Sequence, residues 1–231
     1  MTSNNGDCLV WNFDFALTTF YEVDAFQLES LIPPQLSLQE AAPGVGLINV
    51  TAFNFVKGQL GALPEFQELI LSAIVSPDLS RGVPSAAMFV LSLTSTCQEH
   101  LDHSQDYYKL PVVELLTESS IDKINHEINF VDGNGKIAQI KNCAPVINEY
   151  NYSKRYFQAF TKEGEHVFIS DVFIEAPLFE HQESGDTGKL YEHPFFKGIE
   201  VDDSDVTNFL QMVNEPGSAG KQTYFKPTKF I

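Results

Sequence analysis

The chain has 231 residues, enough for one domain with a sizeable buried core, and 43% of them are hydrophobic, with 19 Phe and 8 Tyr against a single Trp. That composition excludes a disordered chain and leaves much aromatic surface to be buried or to line a pocket. With 31 acidic residues against 14 basic ones the formal net charge is −17, a field that repels phosphate backbones and anionic lipid, so neither nucleic acid nor a membrane is an expected partner.

The same field opposes small carboxylates unless a local cation compensates. Cys8, Cys97 and Cys143 are too few and too scattered for a disulfide framework, and the polar start from Met1 to Asp7 has no signal-peptide core. No run approaches the roughly 18 apolar residues of a membrane span. The expectation is a cytoplasmic protein whose residues 1–231 form a single domain without internal repeats.

In chain order, the first clear element is a helix. Asp24 can cap it, Val23 and Leu28 stand where a hydrophobic staple needs them, Ala25, Leu28, Leu31 and Ile32 share a face, and Pro33-Pro34 stops it. Val45 to Phe55 and Ala87 to Thr94 are β-branched and aromatic runs that predict strands, with Phe66 to Val75 open between helix and strand. If it is a strand, Phe66, Glu68, Ile70 and Ile74 point one way, which sets a carboxylate on an apolar face. Ile124 to Val131 and Lys136 to Lys141 flank Asp132-Gly133-Asn134-Gly135, a strong hairpin signal. Ile147 to Phe160 and His166 to Ile174 add two strands, and Glu180 to Lys189 reads as a surface loop. Val206, Phe209, Leu210 and Val213 follow helical spacing behind Ser204, which predicts a late helix closed by Pro216-Gly217.

Several residues carry possible chemistry. Lys109, between Tyr107-Tyr108 and Leu110-Pro111, is a lysine among aromatic and apolar neighbours, where desolvation would favour a neutral, nucleophilic amine. The bland alternative is a surface lysine whose stem lies over a tyrosine. Cys97, His100 and His103 bring soft and imidazole donors close together in sequence. They lack the paired spacing of a zinc motif, so a solvated loop is expected and no metal is assigned. His126, alternating with Ile124, Ile128 and Phe130, either lines a pocket or is a satisfied core histidine. There is no Gly-rich phosphate loop and no nucleophile elbow.

Taken together, Phe20 to Asp24 through Leu31-Ile32-Pro33-Pro34-Gln35-Leu36, Phe66-Gln67-Glu68 with its apolar run, Tyr107-Tyr108-Lys109, and Leu190 to Val201 resemble segments of the acetoacetate decarboxylase-like superfamily in the right order. The resemblance implies an α+β fold, mainly antiparallel, whose curved sheet closes into a cone or barrel around a central apolar pocket with a few peripheral helices. It also implies a lysine that forms an imine with a carbonyl substrate, matched by Lys109, and a pocket glutamate matched by Glu68. Tyr107, Asn49 and Phe66, with His126, are the expected substrate contacts.

The departures are specific. Leu110 stands where the family has a second lysine, the substrate-side arginine falls near Asp14, the other pocket glutamate falls near Asn49, and Glu99 to Asp106 holds no Arg-Glu pair. Simple acetoacetate is therefore a poor candidate, since a carboxylate buried without its cation is costly. With these departures the resemblance implies a lyase of decarboxylase, aldolase or dehydratase type, acting on a small carbonyl compound through a Lys109 imine in secondary metabolism. A cyclase or isomerase on the same fold using Glu68 as acid or base, and a non-catalytic binder of an apolar small molecule, are the alternatives. No cofactor or metal is implied, and self-association into a homo-oligomer is expected.

Overall fold

The computed structural model describes residues 8–56, 63–142, 149–181, 187–201 and 206–230. Its elements are β1 (Cys8–Asp24), α1 (Ala25–Glu29), β2 (Glu40–Ala42), β3 (Val45–Phe55), β4 (Phe66–Ile74), β5 (Ala86–Ser95), α2 (Gln98–Tyr108), β6 (Leu116–Asp122), β7 (Glu127–Asp132), β8 (Gly135–Lys141), β9 (Asn151–Glu163), β10 (His166–His181), β11 (Gly188–Leu190), β12 (Val206–Asn214), β13 (Gly220–Phe225) and β14 (Thr228–Lys229). The neighbours run β1, β3, β4, β5, β9, β10, β13 and back to β1, which closes a barrel of seven strands. Every contact around that ring is antiparallel except β5 with β9. The implied α+β barrel is the fold observed. Among the described residues no helix is long and apolar enough to cross a membrane.

A second sheet, in the order β11, β8, β7, β6, supplies Leu116, Ile128, Phe130, Ile137, Ala138, Ile140 and Leu190 to the same core cluster as Leu17, Ile48, Val50, Leu69, Leu71 and Phe89 of the barrel. One side of the wall therefore packs on other protein while the other lines the cavity. Such strands read as near-continuous apolar runs, which is why Val45–Phe55 is buried at every position but the first.

Two irregularities decide which side chains face in. In β1 the register to β3 shifts between Phe13 and Phe15, so Trp11 and Phe13 join Ala16, Thr18 and Phe20 on the inner side. In β5 a shift between Leu71 and Ser72 of the partner strand brings both Val90 and Leu93 to the cavity.

The sequence expectations meet the structure unevenly. Asp24 caps α1, accepting from Phe26 N at 2.9 Å, but the helix ends at Glu29. Phe66 to Ile74 is a strand. The helix expected around Val206 to Val213 is instead β12, held antiparallel by β1 and β10. Pairing on both sides overrides the local helical spacing there, and Ser204, its expected cap, lies outside the described residues. Cys143 and residues 182–186 of the expected loop from Glu180 to Lys189 also lie outside them, while Glu180 and His181 end β10 and Gly188 and Lys189 open β11.

Candidate active site

The barrel encloses a cavity of about 260 Å³. Its walls are mostly apolar: Trp11, Phe20, Phe53, Ile70, Met88, Val90, Leu93, Phe157, Val172 and Ile174 all reach it. Besides Ser72, Ser85 and Gln222, three sets of polar groups reach it, and each can be traced to an element.

The first is Glu68 on β4, 4% exposed, whose Oε2 lies 2.5 Å from His100 Nε2. His100 comes from α2, where His100, Ser104 and Tyr108 stand four residues apart and so occupy one helix face, and all three line the cavity. Ser104 Oγ is 3.5 Å from the same nitrogen. The imidazole is fixed by rings: Phe66 lies 4.3 Å away, centroid to centroid, and Trp11 meets it edge-on at 5.3 Å. A carboxyl and an imidazole joined by a hydrogen bond on the wall are two groups able to take a proton from a bound molecule or give one. Beside it, burial pushes the phenols of Tyr108 and Tyr224 up, which keeps both as neutral donors.

The second is Asn49 on β3, flanked by the Thr18 and Thr51 hydroxyls, which share a hydrogen bond of 3.0 Å. The third is Arg155 on β9, whose guanidinium donates to Glu180 Oε2 at 2.8 Å. Among the described residues Arg155 is the one Lys or Arg on the cavity wall. It supplies a cation that the sequence did not offer near Asp14, but Glu180 already neutralises it.

Lys109 is elsewhere. It closes α2 in the left-handed conformation with φ 60°, and its neighbours Tyr108 and Leu110 turn into the cavity while it does not. Its amine pairs with Glu163 at 3.0 Å, with the two side chains 29% and 58% exposed. This corrects the placement of Lys109 in a dry pocket: the reversal at the helix end carries its side chain away from the cavity. Tyr107 is likewise not on the wall. It stacks on His103 at 5.2 Å, and Tyr108 occupies the inward place. Phe66 supports His100 from behind rather than facing the cavity. Glu68 and Asn49 are on the wall.

His126 is the satisfied core histidine, 2% exposed and donating from Nε2 to Asn214 O at 2.7 Å. Burial pushes its pKa below the usual 6.5, so the folded protein holds it neutral while the unfolded chain protonates it near that value. The unfolded state thus binds more protons as pH falls through about 6.5, and stability is lost in that direction. Urea midpoints are expected to drop between about pH 7.5 and about pH 5, and a His126→Asn variant, whose asparagine tolerates the φ of 50° here, is expected to show a smaller drop.

Cys97, His100 and His103 face different partners. Cys97 Sγ lies 3.4 Å from Glu99, His100 meets Glu68 and His103 stacks on Tyr107. Among the described residues no group of three His, Cys, Asp or Glu could hold a metal. The helical face of His100, Ser104 and Tyr108 is the site signal that the sequence expectations omit, because the metal-like spacing of three and six in the same segment masks the spacing of four.

No family model matches the chain, and no curated protein matches it. Solved structures do. The acetoacetate decarboxylase of Legionella pneumophila subsp. pneumophila str. Philadelphia 1 superposes with a TM-score of 0.61 at 11% identity, over 97% of this chain and 88% of that one. The enduracididine biosynthesis enzyme MppR complexed with pyruvate gives 0.57 at 9%, over 96% and 90%. An acetoacetate decarboxylase-like enzyme from Sphingomonas wittichii RW1 gives 0.52 at 10%, over 100% and 98%. The chain therefore has the acetoacetate decarboxylase-like fold, at identities that speak for the fold alone.

Proposed function

We propose that the protein is an enzyme that moves a proton on a neutral, largely apolar carbonyl compound, yielding an isomer or a cyclised product in natural-product metabolism. Glu68 takes the proton from the carbon beside the carbonyl, His100 holds the other side of the carboxylate, and return of the proton to a different atom completes the step. No covalent bond to the protein forms. The observation that carries this reading is the buried Glu68–His100 contact of 2.5 Å on the cavity wall.

Three further points support it. The imine route needs the Lys109 amine inside the cavity, and that amine is engaged with Glu163 outside it. A carboxylate substrate would have to displace Glu180 from Arg155 under a net charge of −17. A fold relative, MppR, is known complexed with pyruvate, so a cavity of this architecture accommodates a carbonyl compound.

The test is reductive trapping. After incubation with benzylacetone and borohydride, the peptide containing Lys109 is expected to show no added mass. A stoichiometric adduct on Lys109 would restore the imine lyase and overturn this reading.

A further inference from the structure

The cavity wall also specifies the far end of the substrate. Along β3, Phe53 opposes Glu68, and Asn49 lies four residues further on the same inner side, opposite Ser72 and Phe20. At the usual strand rise that is about 13 Å from the level of the acid–base pair.

Asn49 is only 4% exposed, yet its amide is poorly served. Oδ1 is buried with no hydrogen-bond partner. Nδ2 has two weak contacts, the thioether Sδ of Met88 at 3.2 Å and Thr51 Oγ1 at 3.4 Å. The N–H group lies toward the sulfur, which accepts and cannot donate, so that contact leaves Oδ1 on the other side without a donor. A buried carbonyl oxygen without a donor is costly, and native folds keep few of them without a reason. Met88 is part-exposed, lines the cavity and is unbranched, so it can swing off the amide at small cost.

We propose that Asn49 recognises a neutral substrate group that carries a hydrogen-bond acceptor and a donor side by side, of the carboxamide type, with Met88 moving aside as it binds. The group's N–H would donate to Oδ1 and its carbonyl would accept from Nδ2 in place of the sulfur. A carboxylate offers no donor to Oδ1, and an ammonium offers no acceptor to Nδ2. The substrate is thus two-ended: a reacting carbon at Glu68–His100 and a carboxamide-like group at Asn49. This rests on the acid–base reading for the position of the reacting carbon, but its test needs no turnover.

Hydrocinnamamide and benzylacetone differ only by NH2 for CH3, and their affinities for the intact protein can be compared by titration calorimetry. The amide is expected to bind about fivefold tighter, the size of one added hydrogen bond to a buried acceptor. Asn49→Leu is expected to equalise the two, and Lys109→Ala, off the cavity wall, to leave the preference in place. The wild-type ratio needs no variant. Equal affinities, no detectable binding of either compound, or a preference that survives Asn49→Leu would overturn the assignment. If the preference holds while no proton exchange is found, the acid–base reading falls and this one stands.

Discussion

Glu68→Gln is expected to slow the α-deuteration of benzylacetone in D2O by about a hundred- to ten-thousandfold, the usual contribution of a positioned acid or base. The substitution keeps the size of the side chain and its ability to hydrogen-bond His100, so the wall should stay in place. What it removes is a group able to accept a proton. His100→Phe, set among Phe66, Trp11 and Phe55, should pack without strain and cause a loss of the same order. Because the two side chains act through one contact, the double variant should be scarcely worse than either single one. Exchange is followed by the loss of α-proton signals in NMR, and additive losses would show that the residues act separately.

The second large effect concerns folding. Gly220 on β13 faces Phe13 on β1, and a methyl group added there would lie 2.2 Å from Cε2 and Cζ of the Phe13 ring. That ring is fully buried and packs edge-on against Phe53 at 5.3 Å, so it has nowhere to retreat. Gly220→Ala should therefore cost about 3 kcal/mol, the upper end for overpacking a core. Phe13→Leu alone should also destabilise, through lost burial, but the two together should be less harmful than their sum because the leucine vacates the space the methyl needs. Urea midpoints of the four proteins in this cycle would measure the coupling.

Much of the fold was legible from residue patterns, in the barrel and in the second sheet. Val45–Phe55 and the hairpin of β7 and β8 follow from β-branched runs and from Asp132-Gly133-Asn134-Gly135. Other elements were hidden for physical reasons. β12 carries helical spacing that is overruled by pairing on both of its edges. β1 is 17 residues long and changes inward phase at Asp14, so no single alternation runs through it.

The site was half legible. Tyr107-Tyr108-Lys109 did mark a segment that meets the cavity, but a motif does not say which of its side chains turns inward. The left-handed end of α2 assigns that place to Tyr108 and sends Lys109 to Glu163. Arg155 could not have been found by position along the chain, since β9 brings it to the wall from the opposite half of the sequence. Glu68 was found because a carboxylate among Phe66, Ile70 and Ile74 stands out at strand spacing, whereas its partner His100 depends on a helix that crosses sequence distance to meet it.

The exchange assay on Lys109→Ala separates proton transfer by Glu68 and His100 from chemistry on the lysine. If proton transfer belongs to Glu68 and His100, the variant should deuterate benzylacetone at nearly the wild-type rate, because removing an exposed ion pair with Glu163 changes little. Exchange abolished in Lys109→Ala, with its fold intact by circular dichroism, would contradict the account and return the chemistry to the lysine.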